Sequence, residues 1–239
     1  MQLSAYAYTN RGGRDHNEDS LRASAEQGIF VLADGLGGHR CGEVASQAAV
    51  DAIFTGMAQA EALEEAGLLD LFRSANEELL RRQAQPGQEE MRTTAVALKL
   101  AGSTAVWAHI GDSRLYRFSN GELAGVTADH SVTYRKFLGG EISYMDVYHD
   151  DDRSRLLRVL GKEPCRPEAG QAAVSPGDAF LLCSDGFWEF VYNEEIQADL
   201  CRARTPEEWA EGMLLRHIRR TPPGSDNFSL ITVFVEACG

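Results

Sequence analysis

TAVALKLAGSTAVWAHIGDSRLYRFSNGE, residues 94–122, alternates apolar and polar side chains on either side of small turn residues. Val96, Leu98 and Leu100 share one face of an extended chain, and after the Ala101-Gly102 turn Val106, Ala108 and Ile110 do the same. A period of two with a glycine between the runs predicts a β-hairpin. Residues 114–118 (RLYRF) then run into Asn120-Gly121, a pair that readily takes positive φ, and predict a second hairpin. Consecutive hairpins imply antiparallel pairing, so the sheet is not a run of parallel crossovers.

Working outward, residues 29–33 (IFVLA) form a short apolar run ending at Asp34-Gly35, which predicts a buried strand that delivers an acid to its end. Residues 179–183 (AFLLC) repeat the design into Ser184-Asp185-Gly186, and residues 228–235 (FSLITVFV) begin just after Asp226-Asn227. Between the first strand and the hairpins, Ala45, Ala48, Ala49, Ala52, Ile53 and Met57 recur at helical spacing from Gly42 to Ala60. Leu68, Phe72, Ala75 and Leu79 mark a second helix, antiparallel to the first. Thr205-Pro206-Glu207-Glu208 has the form of a capping box with proline at the first helical position; Trp209, Met213 and Ile218 follow, and Pro222-Pro223 stop the helix. Paired helices beside antiparallel strands predict an α+β layered domain. No linker or repeat divides residues 1–239, so one domain is expected.

The composition is that of an ordinary globular chain, 44% apolar and 25% charged, with a formal net charge of −13. A pI near 4.9 and the lack of a basic stripe exclude general nucleic-acid binding and argue against anionic membrane. No segment approaches the roughly 18 uninterrupted apolar residues of a membrane span. The five cysteines, Cys41, Cys165, Cys183, Cys201 and Cys238, are widely spaced and form no CxxC pair; they read as reduced thiols of a cytoplasmic protein, with neither a disulfide framework nor a zinc knuckle.

Against that negative charge, RDHNEDS at residues 14–20 concentrates still more acid. It is either a solvated loop or a site built to hold cations. Asp34-Gly35, Asp185-Gly186 and Asp226-Asn227 each join an apolar strand to a turn, and singly each is ordinary turn chemistry. Together with Glu18-Asp19 they could line one sheet edge. Hard oxygen donors without a His/Cys set suit Mg²⁺ or Mn²⁺ better than zinc. Two cations about 3.5–4 Å apart would turn a shared water into a hydroxide nucleophile and screen an incoming phosphate. Arg14 is either a surface ion-pair partner of these acids or a planar clamp on two phosphate oxygens.

These residues are similar to a known set. Arg14-Asp15-His16-Asn17-Glu18-Asp19, Asp34-Gly35-Leu36-Gly37-Gly38-His39 with Gly42-Glu43-Val44-Ala45-Ser46, Thr93-Thr94, Gly111-Asp112-Ser113-Arg114, Thr127-Ala128-Asp129-His130-Ser131, Leu160-Gly161, Ser184-Asp185-Gly186 and Asp226-Asn227 stand in the order found in bacterial type 2C protein phosphatases, the metal-dependent serine/threonine family. The resemblance spans nearly the whole chain. It implies an αββα sandwich of two antiparallel sheets flanked by helix pairs, with a variable flap at about residues 134–155. By position, Asp34 resembles the carboxylate bridging both metals, the Gly35 carbonyl a ligand of one, and Asp185 and Asp226 ligands of the other. Glu18 and Asp19 resemble residues that hold metal-bound waters, Arg14 the phosphate clamp, and Asp112 with Asp185 a weak third-metal site. Asn227 is expected to brace the Asp226 turn.

The implied reaction is hydrolysis of phosphoserine or phosphothreonine by direct attack of the bridging hydroxide, with two Mn²⁺ or Mg²⁺ ions. His39 is either the general acid or a loop residue bonded to backbone; His130 is expected to be structural. The resemblance further implies phosphoprotein substrates, a cognate serine/threonine kinase and, by default, a monomer. Several positions depart from the family pattern: Leu36, Arg92, His109, Glu189, and the flap run Tyr144–Arg153, where Asp150, Asp151 and Asp152 form a solvated loop or a selector of basic peptides. Two other readings compete. One is a catalytically silent relative that regulates by contact, against which the intact Asp34, Asp185 and Asp226 argue. The other is a metal-dependent nuclease, which the net charge disfavours.

Overall fold

The computed structural model describes residues 2–36, 41–60 and 62–236. In chain order the elements are β1 (Gln2–Asn10), β2 (Asp19–Ser24), β3 (Ile29–Leu36), α1 (Cys41–Gln59), α2 (Glu65–Gln83), β4 (Arg92–Thr93), β5 (Ala95–Ala101), β6 (Thr104–Ile110), β7 (Arg114–Ser119), β8 (Glu122–Val126), α3 (Val132–Leu138), a 3-10 turn (Met145–Tyr148), β9 (Glu168–Ala173), β10 (Ala179–Cys183), α4 (Asp185–Trp188), α5 (Asn193–Leu200), α6 (Pro206–Arg220) and β11 (Phe228–Glu236). They make two antiparallel sheets, ordered β1-β11-β10-β7-β8 and β2-β3-β5-β6-β9, with β4 paired to β3. Both expected hairpins form: Val96, Leu98 and Leu100 pair across to His109, Trp107 and Ala105, and Asn120 (φ 52°) with Gly121 (φ 78°) turn β7 into β8.

The alternation along each strand explains the layering. In β3, Ile29, Val31 and Ala33 pack with Ala45, Ala49, Ile53, Met57, Leu68 and Phe72 of α1 and α2, whereas Phe30 and Leu32 face the other sheet. In β10, Leu181 and Cys183 join Trp209, Ala210 and Met213 of α6, whereas Phe180 and Leu182 meet Phe30 and Leu32 between the sheets. Continuous apolar runs thus arise because each central strand is covered on both faces. Each such Leu, Ile or Phe removed from water contributes about 1.5–3 kcal/mol. The result is the αββα sandwich that the family resemblance implied.

Three details differ from the sequence expectations. Asp34 lies inside β3, not at its end, because Gly35 and Leu36 continue the strand by pairing with Thr93 and Arg92. On α6 the buried position after Met213 is His217, one full turn on; Ile218 is 64% exposed because its spacing of five carries it off the core face. β1, β9 and α5 have no clear apolar period, so the sequence pattern does not predict them. Both faces of β1 are only part-buried: Leu3 and Ala5 pack between the sheets, and Tyr6 and Tyr8 pack on the α6 side.

Candidate active site

Two sheets end side by side at one edge, and each brings acids there. Asp19 of β2 is the cross-strand partner of Asp34 on β3. From the other sheet, β10 stops at Cys183 opposite Leu230, so Asp185 and Asp226 leave neighbouring strands at the same end. Asp112 sits in the turn between β6 and β7. Arg14, Asp15, His16, Glu18, Asp34, Gly35, Leu36, Asp112, Ser154, Leu156, Asp185, Asp226 and Asn227 line one cavity of about 430 Å³. A second recess of about 350 Å³ adjoins it, sharing Arg14, Asp185 and Asp226 and adding Arg153, Glu189, Phe190 and Pro222.

Backbone contacts hold the acids in place. Thr93 Oγ1 donates to the Asp34 carbonyl at 2.7 Å, and the Asp34 N–H donates to Thr94 Oγ1 at 3.0 Å. Gly35 and Gly42 meet back to back: a Cβ on Gly35 would overlap the Gly42 carbonyl, so only glycine lets α1 start against β3 here. A Cβ on Gly186 would likewise overlap the Asn227 carbonyl, which makes glycine the condition for bringing the Asp185 and Asp226 turns together. Asn227 ties together three points of the segment 11–18: its Oδ1 accepts from Glu18 N–H at 2.8 Å, and its Nδ2 donates to the Arg11 and His16 carbonyls at 2.8 and 2.9 Å. Ser184 Oγ donates to Asp19 Oδ2 at 2.8 Å and accepts from Ser229 N–H at 2.9 Å.

Crowding raises the acids. The Asp34 carboxyl is pushed well above the ordinary carboxylate range, by burial first and then by Asp19, Asp185 and Asp112. Asp112 and Asp185 rise for the same reasons, burial leading in each, and Asp19 is raised to about 7 by burial against the hydrogen bonds of Ser229 and Ser184. Asp34 and Asp185 keep some exposed area, whereas Asp19 and Asp112 are buried. Glu189, beside Asp185, is raised to about 7, mainly by burial and against Arg153. Carboxyls pushed up by burial and by one another are a set that cations would relieve.

The residues fit hard divalent ions. Every donor is an oxygen, and Asp19 Oδ1 is buried without a hydrogen-bond partner. Another set, His109, His130 and Glu168, brings ligand atoms within 4.8 Å of one another. It does not fit a metal. Gly111 N–H donates to His130 Nδ1 at 3.2 Å, which leaves the neutral ring's proton on Nε2, the nitrogen facing Glu168. Arg158 already occupies Glu168 at 2.6 Å.

A family profile described as Protein phosphatase 2C matches residues 9–214. This chain belongs to the protein phosphatase 2C family. It is 34% identical over 236 residues to the serine/threonine phosphatase stp of Listeria monocytogenes, covering 94% of this chain and 93% of that one. It is 32% identical to the serine/threonine protein phosphatase PstP of Mycobacterium tuberculosis, with 98% of this chain matching 45% of that one. The crystal structure of the M. tuberculosis phosphatase superposes with a TM-score of 0.89 at 31% identity, covering 99% and 100% of the two chains. The PstP catalytic domain in complex with two manganese ions gives 0.87 at 30% identity, covering 98% and 99%.

Of the phosphatase residues expected from sequence, Asp34, Gly35, Asp112, Asp185, Asp226, Glu18 and Arg14 line the one cavity, and Asp19 sits directly behind it. Arg14 is paired with Asp226 at 2.9 Å, both side chains about half exposed, so the guanidinium is held loosely at the rim. His39 lies outside the described residues. His16, to which the sequence alone assigns no role, is the histidine in the cavity wall among the described residues; only its place in the RDHNED loop marks it. The acidic flap run is not a free anionic surface. Asp150 and Asp152 both pair with Lys136, at 3.0 and 2.8 Å, and Asp152 also pairs with Arg155. His130 is structural as expected: it precedes Ser131, which caps α3 by accepting from Tyr134 N–H, and its own N–H donates to the Gly111 carbonyl. Thr93 and Thr94, singled out by their family position alone, prove to be the clamp on Asp34.

Proposed function

We propose that residues 1–239 form one phosphatase domain, with a flap at about 134–155, that hydrolyses phosphoserine and phosphothreonine in proteins. The observation that carries the reading is the convergence of Asp34, Asp112, Asp185 and Asp226, from distant parts of the chain, on one cavity whose rim holds a half-exposed guanidinium. Asp34, the Gly35 carbonyl, Asp185 and Asp226 would hold two divalent ions, Asp112 with Asp185 a third, and Glu18 and Asp19 their waters. Bound there, such ions supply a hydroxide at neutral pH and screen phosphate charge.

The chain's own residues do the rest. Arg14 leaves its exposed pair with Asp226 and takes two phosphate oxygens in its fork, fixing the phosphorus against the aspartates. The adjoining recess accepts the residues beside the phosphoserine, and Arg153 and Glu189 form its walls. The leaving serine or threonine oxygen needs a proton, and His16 and His39 are the two imidazoles in this part of the sequence able to deliver one at an Nδ1 or Nε2 position. The family, the intact aspartates and the open cavity favour an active enzyme over a silent relative. The substrates imply a partner serine/threonine kinase and a cytoplasmic setting, and we take a monomer as the working state; no helix among the described residues is long and apolar enough to cross a membrane.

Turnover of a small aryl phosphate and of a phosphothreonine peptide, measured with Mn²⁺, with Mg²⁺ and after EDTA, tests the reading. Metal-dependent release of phosphate from both is expected. A protein that binds the phosphopeptide but releases no phosphate at saturating Mn²⁺ is the silent relative instead.

A further inference from the structure

The outward side of α6 carries apolar side chains where a surface helix ordinarily carries polar ones. Leu215 is 58% and Ile218 64% exposed, while Trp209, Ala210, Met213 and His217 already fill the inner face. Beside them lies a shallow recess of about 360 Å³, in which Asp199, Arg202, Gly212, Arg216 and Arg219 surround Leu215. Arg216 is committed: its Nε and Nη2 donate to both oxygens of Asp199 at 2.6 and 2.8 Å. Arg202 and Arg219 are exposed and pair with no acid among the described residues. Glu208, at the recess wall, accepts from Arg204 N–H at 2.8 Å, and Glu207 and Glu211 lie on the flank of α6 toward Tyr6 of β1.

Two hydrogen bonds join this helix to the active site. His217 Nε2 donates to the Gly186 carbonyl at 2.7 Å, and Arg220 Nη1 donates to the Phe190 carbonyl at 2.6 Å. Phe190 and Pro222 line the recess beside the aspartates, so the last turn of α6 is its outer side, and Leu215 stands about 8 Å of helix before Arg220. A polypeptide leaving that recess past Pro222 meets Ile218, Arg219 and Leu215 next. Charge selects the occupant. The net charge is −13 and the phosphate site is crowded with carboxyls, so acidic stretches are repelled there, whereas Arg202 and Arg219 offer the opposite sign just outside. A second copy of the chain in an isologous contact would bring these arginines against their own kind. Two arginines on so acidic a chain are also too narrow a field for an anionic membrane.

We propose that the outer face of α6 is a docking surface for an acidic segment of the phosphoprotein substrate, with carboxylates on Arg202 and Arg219 and an apolar side chain on Leu215 and Ile218. The segment lies outside the stretch held at the aspartates and raises affinity without entering the chemistry. The inference rests on the phosphatase reading above and narrows its substrates to phosphoproteins with such a segment.

The test uses phosphothreonine peptides that share the residues around the phosphothreonine and are extended at either end by Glu and Leu or by Gln and Ser. In the wild type with Mn²⁺, one of the Glu/Leu peptides should have a KM about tenfold below its Gln/Ser counterpart, and added salt should shrink that advantage. Arg202→Glu with Arg219→Glu should abolish it, and Leu215→Ser with Ile218→Ser should reduce it severalfold. All should leave kcat, the aryl phosphate and the Gln/Ser peptides as in wild type. Arg73→Glu with Arg81→Glu on α2, both exposed, makes the same change in net charge away from this face and should preserve the advantage. Equal KM for the extended peptides in the wild type, or equal loss in the α2 control, overturns the docking surface and leaves the phosphatase reading standing. A dimer in sedimentation that Leu215→Ser with Ile218→Ser abolishes assigns the face to a second copy and overturns it too. A wild type that releases phosphate from none of the peptides overturns both.

Discussion

Asp34→Asn separates a site held against its own repulsion from one that is merely buried. Asp19 sets the scale: its carboxyl moves from 3.8 to about 7 through burial first, then Asp185 and Asp226. A group raised in the folded state contributes stability below its unfolded pKa, near 4, and loses it as pH rises through the folded value. At pH 8 without metal, each such carboxyl is therefore a cost, at about 1.4 kcal/mol for every tenfold tightening of its hold on the proton. Burial is the larger cause at Asp34 and an amide must still be buried, so removing the charge should recover only about 1–2 kcal/mol. For a chain of this size that is a rise of about 3–6 °C in the metal-free Tm. Calorimetry at pH 8 in EDTA reads it directly. The same variant should gain little from Mn²⁺, whereas the wild type gains strongly, and its turnover should fall about a thousandfold or more, the loss of several kcal/mol of metal-assisted catalysis. A lower Tm in EDTA, or a Mn²⁺ gain equal to wild type, would refute the argument.

The metal-free wild type should lose stability as pH rises from 5 to 8, by the sign just given, and Mn²⁺ should flatten that slope; a Tm that climbs over this range in EDTA would contradict the raised carboxyls. Arg14→Ala removes a half-exposed pair, so Tm should barely move, while KM for phosphopeptide rises about tenfold; steady-state kinetics with a parallel melt would expose an effect on stability alone. Gly186→Ala forces a methyl against the Asn227 carbonyl and should cost about 2–3 kcal/mol in urea denaturation. An unchanged midpoint would mean that the two turns are not in contact.

Much of the layering was legible because central strands announce themselves twice, by length and by apolar residues on both faces, as in IFVLA and AFLLC. The hairpin at Asn120-Gly121 was legible from backbone chemistry, and α6 from its Thr205 cap. Strands at the margins were not. β9 carries Glu168, Gly170 and Gln171 and packs chiefly as an edge against β6, so it has no apolar period to read. The aspartates were legible as individual turn residues, but their meeting depended on sheet order, which local pattern does not encode. Ile218 misled because five residues approximate a helical repeat less well than four. The role of Trp188 was invisible, since an indole in the sequence gives no sign that its N–H will find the Asp112 carbonyl 76 positions away.

The most direct measurement is a crystal structure of the protein grown with Mn²⁺, read by anomalous difference density at the manganese edge. Two peaks flanking Asp34, one shared with Gly35 and the other with Asp185 and Asp226, are what this account predicts. Aspartates turned apart, with no peak among them at saturating Mn²⁺, would contradict it.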